Sequence, residues 1–464
     1  MGKGAHTRPR RGRPSTRPAH RRSSRVGTVR KSAHLPTLRE FIIALADAGE
    51  ADRERIGPKA ANLAALARAG LPTPGGFCLT ADAYRAQIAA LGLEALVGRF
   101  AHADPLAQRR LSVDIRLALY EQPIAPEILE PVLAAWHAQR AQSGSLTAVR
   151  SSALIEDQKG ASFAGQFETF LGIEYDAAFI TAVRACWAAL WSTNARRYME
   201  NRGLSPADTA MAVLIQPLID ARASGGGLSE TADGQMLISA TWGLGSTIAQ
   251  GEVVPDRIVL SRQGFLRSID VGRKDHRESC AQGVGAIRQV VANDLIAAAC
   301  LDSGQAVTLG RMMRKAQAVL CGAVEIEWAL DDEGCKLLQA RLLTIEPMTV
   351  PDEIWRKHPG LSGHPAGIGW GAGRAVVVNC ECELSRVAPG DVLVTRVAGP
   401  ALSHVLPRVA GVVAELGGST SHLASLARER GIPMVLGVLD ATSRIPDGSQ
   451  VAVDGVAGVV RWMA

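Results

Sequence analysis

The stretch VEIEWALDDEGCKLLQARLL, residues 324–343, constrains the fold more tightly than any other part of the chain. Apolar and polar residues alternate on both sides of a DDEG turn, and this alternation dictates two strands joined as a hairpin. Alternate residues of a strand share a face. Glu325 and Glu327 therefore project together, and Gln339 and Arg341 do the same on the returning strand. Two carboxylates, an amide and a guanidinium then converge. Such carboxylates hold Mg²⁺ jointly with a triphosphate. The same pattern also suits the solvated face of an edge strand, and the hairpin alone does not choose between them.

Other segments suit phosphate without a classical P-loop, since no GxxxxGK[ST] sequence occurs. Lys59, in RIGPKAANLAAL, follows a Gly-Pro turn and opens a helix, where it places a point charge against phosphate. Arg150, in TAVRSSA, lies where a strand meets a polar turn, and its planar fork matches phosphate oxygens. EDQKGASFAGQFETFLG (156–172) and ASGGGLS (223–229) are rich in small residues whose backbone can approach a polyphosphate closely.

Near the C-terminus, GGSTSHLASLARERGIPMVLGV (417–438) places His422 at the start of a helix. Leu423, Leu426 and Ala427 recur at helical spacing, and Gly431 and Pro433 end the helix. Thr420 or Ser421 caps it. A histidine in the first turn sits beside free backbone N–H groups, a ready anion site, and its imidazole is a nucleophile near neutral pH. The local pattern equally describes a surface histidine at a helix start.

The 51 Lys and Arg against 45 Asp and Glu give a net charge of +6. That excess belongs to residues 1–34, which hold eleven basic residues and no acid; the remainder is net acidic. The tail is rich in Pro, Gly and Ser, and the expectation is a disordered extension. Contact with nucleic acid is open only to this tail. It has no apolar core of a secretory signal. No apolar run is long enough to span a membrane. Eight scattered cysteines without a disulfide framework point to a cytoplasmic setting. Cys380 and Cys382, in the strand-like AVVVNCECEL, are expected to pack or face solvent rather than bind metal.

The chain divides into a basic tail (1–34), a mixed α/β region (35–350), a Pro/Gly-rich linker (351–369) and a compact β/α unit (370–464). The expected fold class is α/β, multidomain.

Taken in order, the motifs resemble those of phosphoenolpyruvate synthase and pyruvate phosphate dikinase, and also of rifampin phosphotransferase. They are IGPKAANLAALARAGLPTPGGFCLT (56–80), TAVRSSALIEDQKGASFAGQFETFLG (147–172), WGLGSTIAQGEVVPD (242–256), the 324–344 hairpin and residues 389–438 around TSH. The resemblance implies an ATP-grasp-type nucleotide domain followed by a swivelling β/β/α phosphohistidine domain. It implies ATP and Mg²⁺ as cofactors. Lys59 and Arg150 would grip ATP phosphates, Glu325 and Glu327 would bind Mg²⁺, and Gln339 and Arg341 would line the phosphate site. His422 would be the nucleophile, attacking the β-phosphoryl group and releasing AMP, and residues 351–369 would be the hinge for its travel. Thr420 matches a threonine that regulatory kinases modify in some relatives.

Three departures accompany the resemblance. Pro58 removes a backbone N–H from the usual Gly-Gly-Lys, Ser246 replaces the usual acid after Gly-Leu-Gly, and SGGGLSE promises a looser lid. The chain stops after the phosphohistidine segment, where the synthases continue into a pyruvate-binding barrel. The leading expectation is therefore an ATP-dependent phosphotransferase whose acceptor, most plausibly pyruvate, sits on a separate protein. The alternatives are a small-molecule kinase of the rifampin phosphotransferase type and a non-catalytic, nucleotide-sensing phosphocarrier.

Overall fold

The computed structural model describes residues 41–156, 163, 166–231, 233–343 and 355–463. The basic tail expected over 1–34 lies outside them, as do most of 157–165 and residues 351–354 of the expected linker. Residues 37–464 form one unit.

The first sheet contains β1 (Ile42–Ala44), β2 (Phe77–Leu79), β3 (Thr147–Ala153), β4 (Thr169–Ile173) and β5 (Met211–Pro217), ordered β1-β2-β5-β3-β4. Every pairing in it is antiparallel. Seven helices accompany it: α1 (Arg53–Arg68), α2 (Ala81–Ala90), α3 (Glu94–His102), α4 (Pro105–Glu121), α5 (Pro126–Ser143), α6 (Asp176–Ala189) and α7 (Thr193–Glu200). Their core is aromatic. Trp136, Trp187 and Trp191 are fully buried. Buried indoles usually find a hydrogen-bond partner: Trp136 donates to Thr147 (2.9 Å) and Trp191 to Tyr84 (2.8 Å), while the Trp187 indole N–H has none among the described residues.

The second sheet begins with β6 (Ala223–Leu228), β7 (Met236–Trp242), β8 (Asp256–Leu260) and β9 (Leu266–Asp270). A separate hairpin follows, β10 (His276–Ala281) with β11 (Gly285–Val290), and β12 (Val324–Asp331) with β13 (Gly334–Leu342) completes the order β13-β12-β6-β7-β8-β9. Short helices α8 (Ser246–Ala249) and α9 (Asn293–Ile296) and the longer α10 (Ser303–Leu320) join these strands. Here β6 corrects a sequence expectation. The SGGGLSE stretch is no loose lid: its residues 224–228 belong to β6, an interior strand between β12 and β7. Glycine is depleted in strands, so composition hid it. Its small residues serve close packing, because a Cβ on Gly226 would lie 2.5 Å from the Thr420 side chain.

The third sheet holds β14 (Gly360–Ser362), β15 (His364–Pro365), β16 (Trp370–Val378), β17 (Val392–Thr395), β18 (Gly411–Ala414), β19 (Met434–Leu436), β20 (Gln450–Asp454) and β21 (Val459–Trp462). The expected linker is thus built into this sheet from Gly360 onward, with β14 pairing β21 and β15 pairing β19 at its two edges. Both edge strands are short, where a proline is tolerated because the outer N–H needs no partner. Strands β16, β17, β18 and β19 run parallel. Helix α11 (His422–Glu429) makes the β18-to-β19 crossover, and α12 (Ala441–Arg444) follows β19. Cys380 and Cys382 also differ from expectation. The strand ends at Val378, a 3₁₀ turn begins at Glu381, and the two cysteines form a disulfide with Cα atoms 5.4 Å apart.

Candidate active site

Lys59 reaches the centre of the molecule because α1 breaks at Gly57. That residue has φ +74°, and a Cβ there would lie 2.5 Å from the Ser152 carbonyl oxygen. Only glycine fits so close to β3. Pro58 restarts the helix, and Lys59 in its first turn donates to the Ser151 carbonyl and to Glu156, each at 3.0 Å. Glu156 is buried, so the pair neutralises a carboxylate that could not stay charged alone. Arg150, on β3, donates to the Leu338 carbonyl at 3.1 Å and to Glu327 at 2.5 Å.

The hairpin register matches the alternation read from the sequence: Glu325 faces Arg341, and Glu327 faces Gln339. The two glutamates nevertheless differ. Glu325 is buried and held on three sides, by Arg341 (2.7 Å), by Arg428 (3.0 Å) and by the Ser425 hydroxyl (2.9 Å). Burial opposes its ionisation, but the Arg341 and Arg428 charges outweigh that and hold its pKa at about 2. A depressed carboxylate stabilises the fold above the ordinary range, and this contribution is lost only as the pH falls toward 2. Replacing Glu325 by alanine removes the carboxylate that both guanidiniums share. A loss of about 3 kcal/mol of stability is expected from breaking a buried pair, read as a lower denaturant midpoint at pH 7. Glu327, by contrast, has a side chain 42% exposed. Partial desolvation within the cavity raises its pKa, yet the Arg150 guanidinium outweighs this and the carboxyl stays below its usual range.

His422 is the first residue of α11. The cap is Ser421, whose hydroxyl accepts from the Ala424 N–H at 3.2 Å. Thr420 is not the cap; its hydroxyl is buried and unpartnered among the described residues. The helix ends in a Schellman turn, in which Ile432 N–H bonds Ala427 O and Gly431 N–H bonds Arg428 O with φ +65° at Gly431. Burial, then the positive Arg341 and Lys59, push the imidazole below its ordinary pKa, while Glu327 and Glu325 pull it back. The ring is therefore neutral at pH 7, with a lone pair available. Half-protonation is reached only below the ordinary value of 6.5. Labelling of His422 by ATP should accordingly have its half-maximal rate below pH 6.5 and fall by about tenfold per pH unit beneath that midpoint. A midpoint at or above pH 6.5 would contradict this.

All seven residues singled out in the sequence line one cavity of about 510 Å³: Lys59, Arg150, Glu325, Glu327, Gln339, Arg341 and His422. Thr420 and Ser425 line it too. Phe167, Phe170, Leu218, Ile219, Ile248 and Trp328 also line it, apolar side chains suited to a flat heteroaromatic base. Ser246 also lines it, and its hydroxyl donates to the Glu278 carboxylate on β10. A carboxylate is thus held beside the position where an acid had been expected. Among the described residues no three His, Cys, Asp or Glu side chains cluster as a metal cage. A cation here would rest on Glu327, the carboxylate with an open face, and draw its remaining oxygens from phosphate. Ser425, Arg428 and Glu156 were missed in the sequence, although Ser425 stands one turn beyond His422 on the same helix.

The sequence that builds this cavity matches two known protein families. The family model for the pyruvate phosphate dikinase AMP/ATP-binding domain matches residues 53–357. The chain belongs to the pyruvate phosphate dikinase family. The mobile domain of PEP-utilising enzymes matches residues 387–458, which include His422. Among curated relatives of this dikinase-family chain is a phosphoenolpyruvate synthase from Aeropyrum pernix, 30% identical over 457 residues, covering 87% of this chain and 56% of that protein. Another is a probable phosphoenolpyruvate synthase from Methanothermobacter thermautotrophicus, 30% identical, covering 91% and 63%. A third, from Pseudomonas aeruginosa, is 31% identical, covering 90% and 57%. The chain thus spans 56–63% of the length of these relatives. No helix among the described residues is long and apolar enough to cross a membrane.

Proposed function

We propose that this chain is an ATP-dependent phosphotransferase in which His422 takes the β-phosphoryl group of ATP. The observation that carries the reading is the shared cavity, which puts a neutral imidazole in one space with Lys59, Arg150, Arg341 and Glu327. The imidazole nitrogen attacks the β-phosphorus, the bond to the α–β bridging oxygen breaks, and AMP leaves. The terminal phosphoryl group of the resulting pyrophosphohistidine passes to water or phosphate. The remaining phosphohistidine then donates to an acceptor. The relatives' name points to pyruvate, whose enol oxygen would form the new P–O bond.

Phosphoryl transfer demands positioning and charge neutralisation more than acid–base chemistry. The cationic side chains supply both, with Gln339 offering its amide to a phosphate oxygen. Mg²⁺, when bound, would add charge neutralisation between the phosphates, and Glu327 is the residue that would hold it. Glu325 is occupied by Arg341, Arg428 and Ser425 in this arrangement. The test is product analysis with Mg²⁺, ATP and pyruvate. In phosphate-free buffer AMP and phosphate are expected in equal amounts, and ADP as the sole nucleotide product would overturn the reading.

A further inference from the structure

Helix α11 carries more than His422. Its last residue, Glu429, has a side chain only 6% exposed and is held by a distant segment of the chain. The Tyr198 hydroxyl, on α7, donates to it at 2.5 Å, and Arg202, just beyond α7, forms an ion pair with it. The Arg202 guanidinium lies 3.9 Å from the centre of the Tyr198 ring, so one cation both stacks and pairs. A second attachment joins Ser425 and Arg428 to Glu325 on β12. Ser425, Arg428 and Glu429 stand three, six and seven residues after His422. At 1.5 Å per residue Glu429 is about 10 Å from His422 along the axis. It touches no reacting group. Two attachments along one short helix fix its direction and therefore where its first residue aims.

We propose that Tyr198, Arg202 and Glu429 form a latch that seats α11 against the nucleotide-binding part of the chain, as positioning residues for phosphoryl transfer to His422. This rests on the reading of His422 as the phosphoryl acceptor. A buried ion pair is strongly disfavoured when one partner is reversed, because an uncompensated charge remains, and a swap of both charges restores it. Tyr198 packs on the cavity residue Phe163, but Arg202 and Glu429 do not line the cavity, so their reversals are expected to act on the transfer step and not on nucleotide affinity.

The experiment compares the full-length wild type with R202E, E429R and the double swap R202E/E429R. Two readouts are taken: the single-turnover rate of label transfer from β-labelled ATP to His422, with ATP affinity beside it, and hydrogen exchange of the α11 amides. Each single reversal should slow transfer at least about tenfold with ATP affinity unchanged and α11 exchange faster. The double swap should bring both back to within about threefold of wild type. Singles that transfer at the wild-type rate, or a double swap that recovers neither readout, would overturn the latch. If the wild type takes no label, the assignment of His422 falls. The latch then stands or falls on exchange, and unchanged α11 protection in R202E overturns it.

Discussion

Replacing His422 by alanine is expected to reduce phosphoryl transfer from ATP to the protein to background while ATP continues to bind. The imidazole is the only neutral nucleophile that the seven lining residues named above bring to the cavity; the others are a lysine and two arginines, two ionised carboxylates and an amide. A nucleophile that forms the covalent intermediate has no substitute, so its loss removes the step rather than slowing it. Nucleotide contacts are expected from β3, β12, β13 and Lys59, none of which depends on the ring. Glu327 keeps Arg150 as its partner. Equilibrium binding of ATP to His422→Ala, measured beside labelling, checks both halves. A variant that still labels would place the acceptor elsewhere.

The second large effect is expected at Arg150. Its guanidinium now spans the Leu338 carbonyl and Glu327, which aims the fork into the cavity from β3. A cation that meets charge developing on a transferring phosphoryl group contributes about 10³-fold or more in rate. Arg150→Ala should slow single-turnover labelling of His422 by about that factor. Arg150→Lys should recover little, since a lysine offers a point charge and no paired donors. A lysine variant at near wild-type rate would show that Arg150 acts only through bulk charge.

The parts of this site that were legible in the sequence are those set by local periodicity. Period-2 alternation placed Glu325 and Glu327 on one face and opposed them to Arg341 and Gln339, as the ladder register shows. Helical spacing with Gly431 behind it placed His422 at a helix start. What escaped depends on distant chain segments. Glu325 meets Arg428 across 103 positions and Lys59 meets Glu156 across 97, and no local pattern announces either pair. Strand β6 escaped because glycine carries no strand signal, yet the reason for its glycines lies on Thr420, in another part of the chain. Strands β14 and β15 escaped because Pro and Gly suit edges as well as linkers. The choice of Ser421 over Thr420 as cap was decided by packing: Thr420 is pressed against Gly226, which leaves the cap to its neighbour.

One measurement bears most directly on transfer inside a single chain: single-turnover labelling with ATP carrying distinguishable isotopes at the β and γ positions, followed by isolation of the peptide containing His422. Transfer to His422 within one molecule predicts that the β label is retained on that peptide, acid-labile, at a rate independent of protein concentration, with AMP formed in equal amount. Retention of the γ label alone, a rate that rises with protein concentration, or an unlabelled His422 peptide would contradict it.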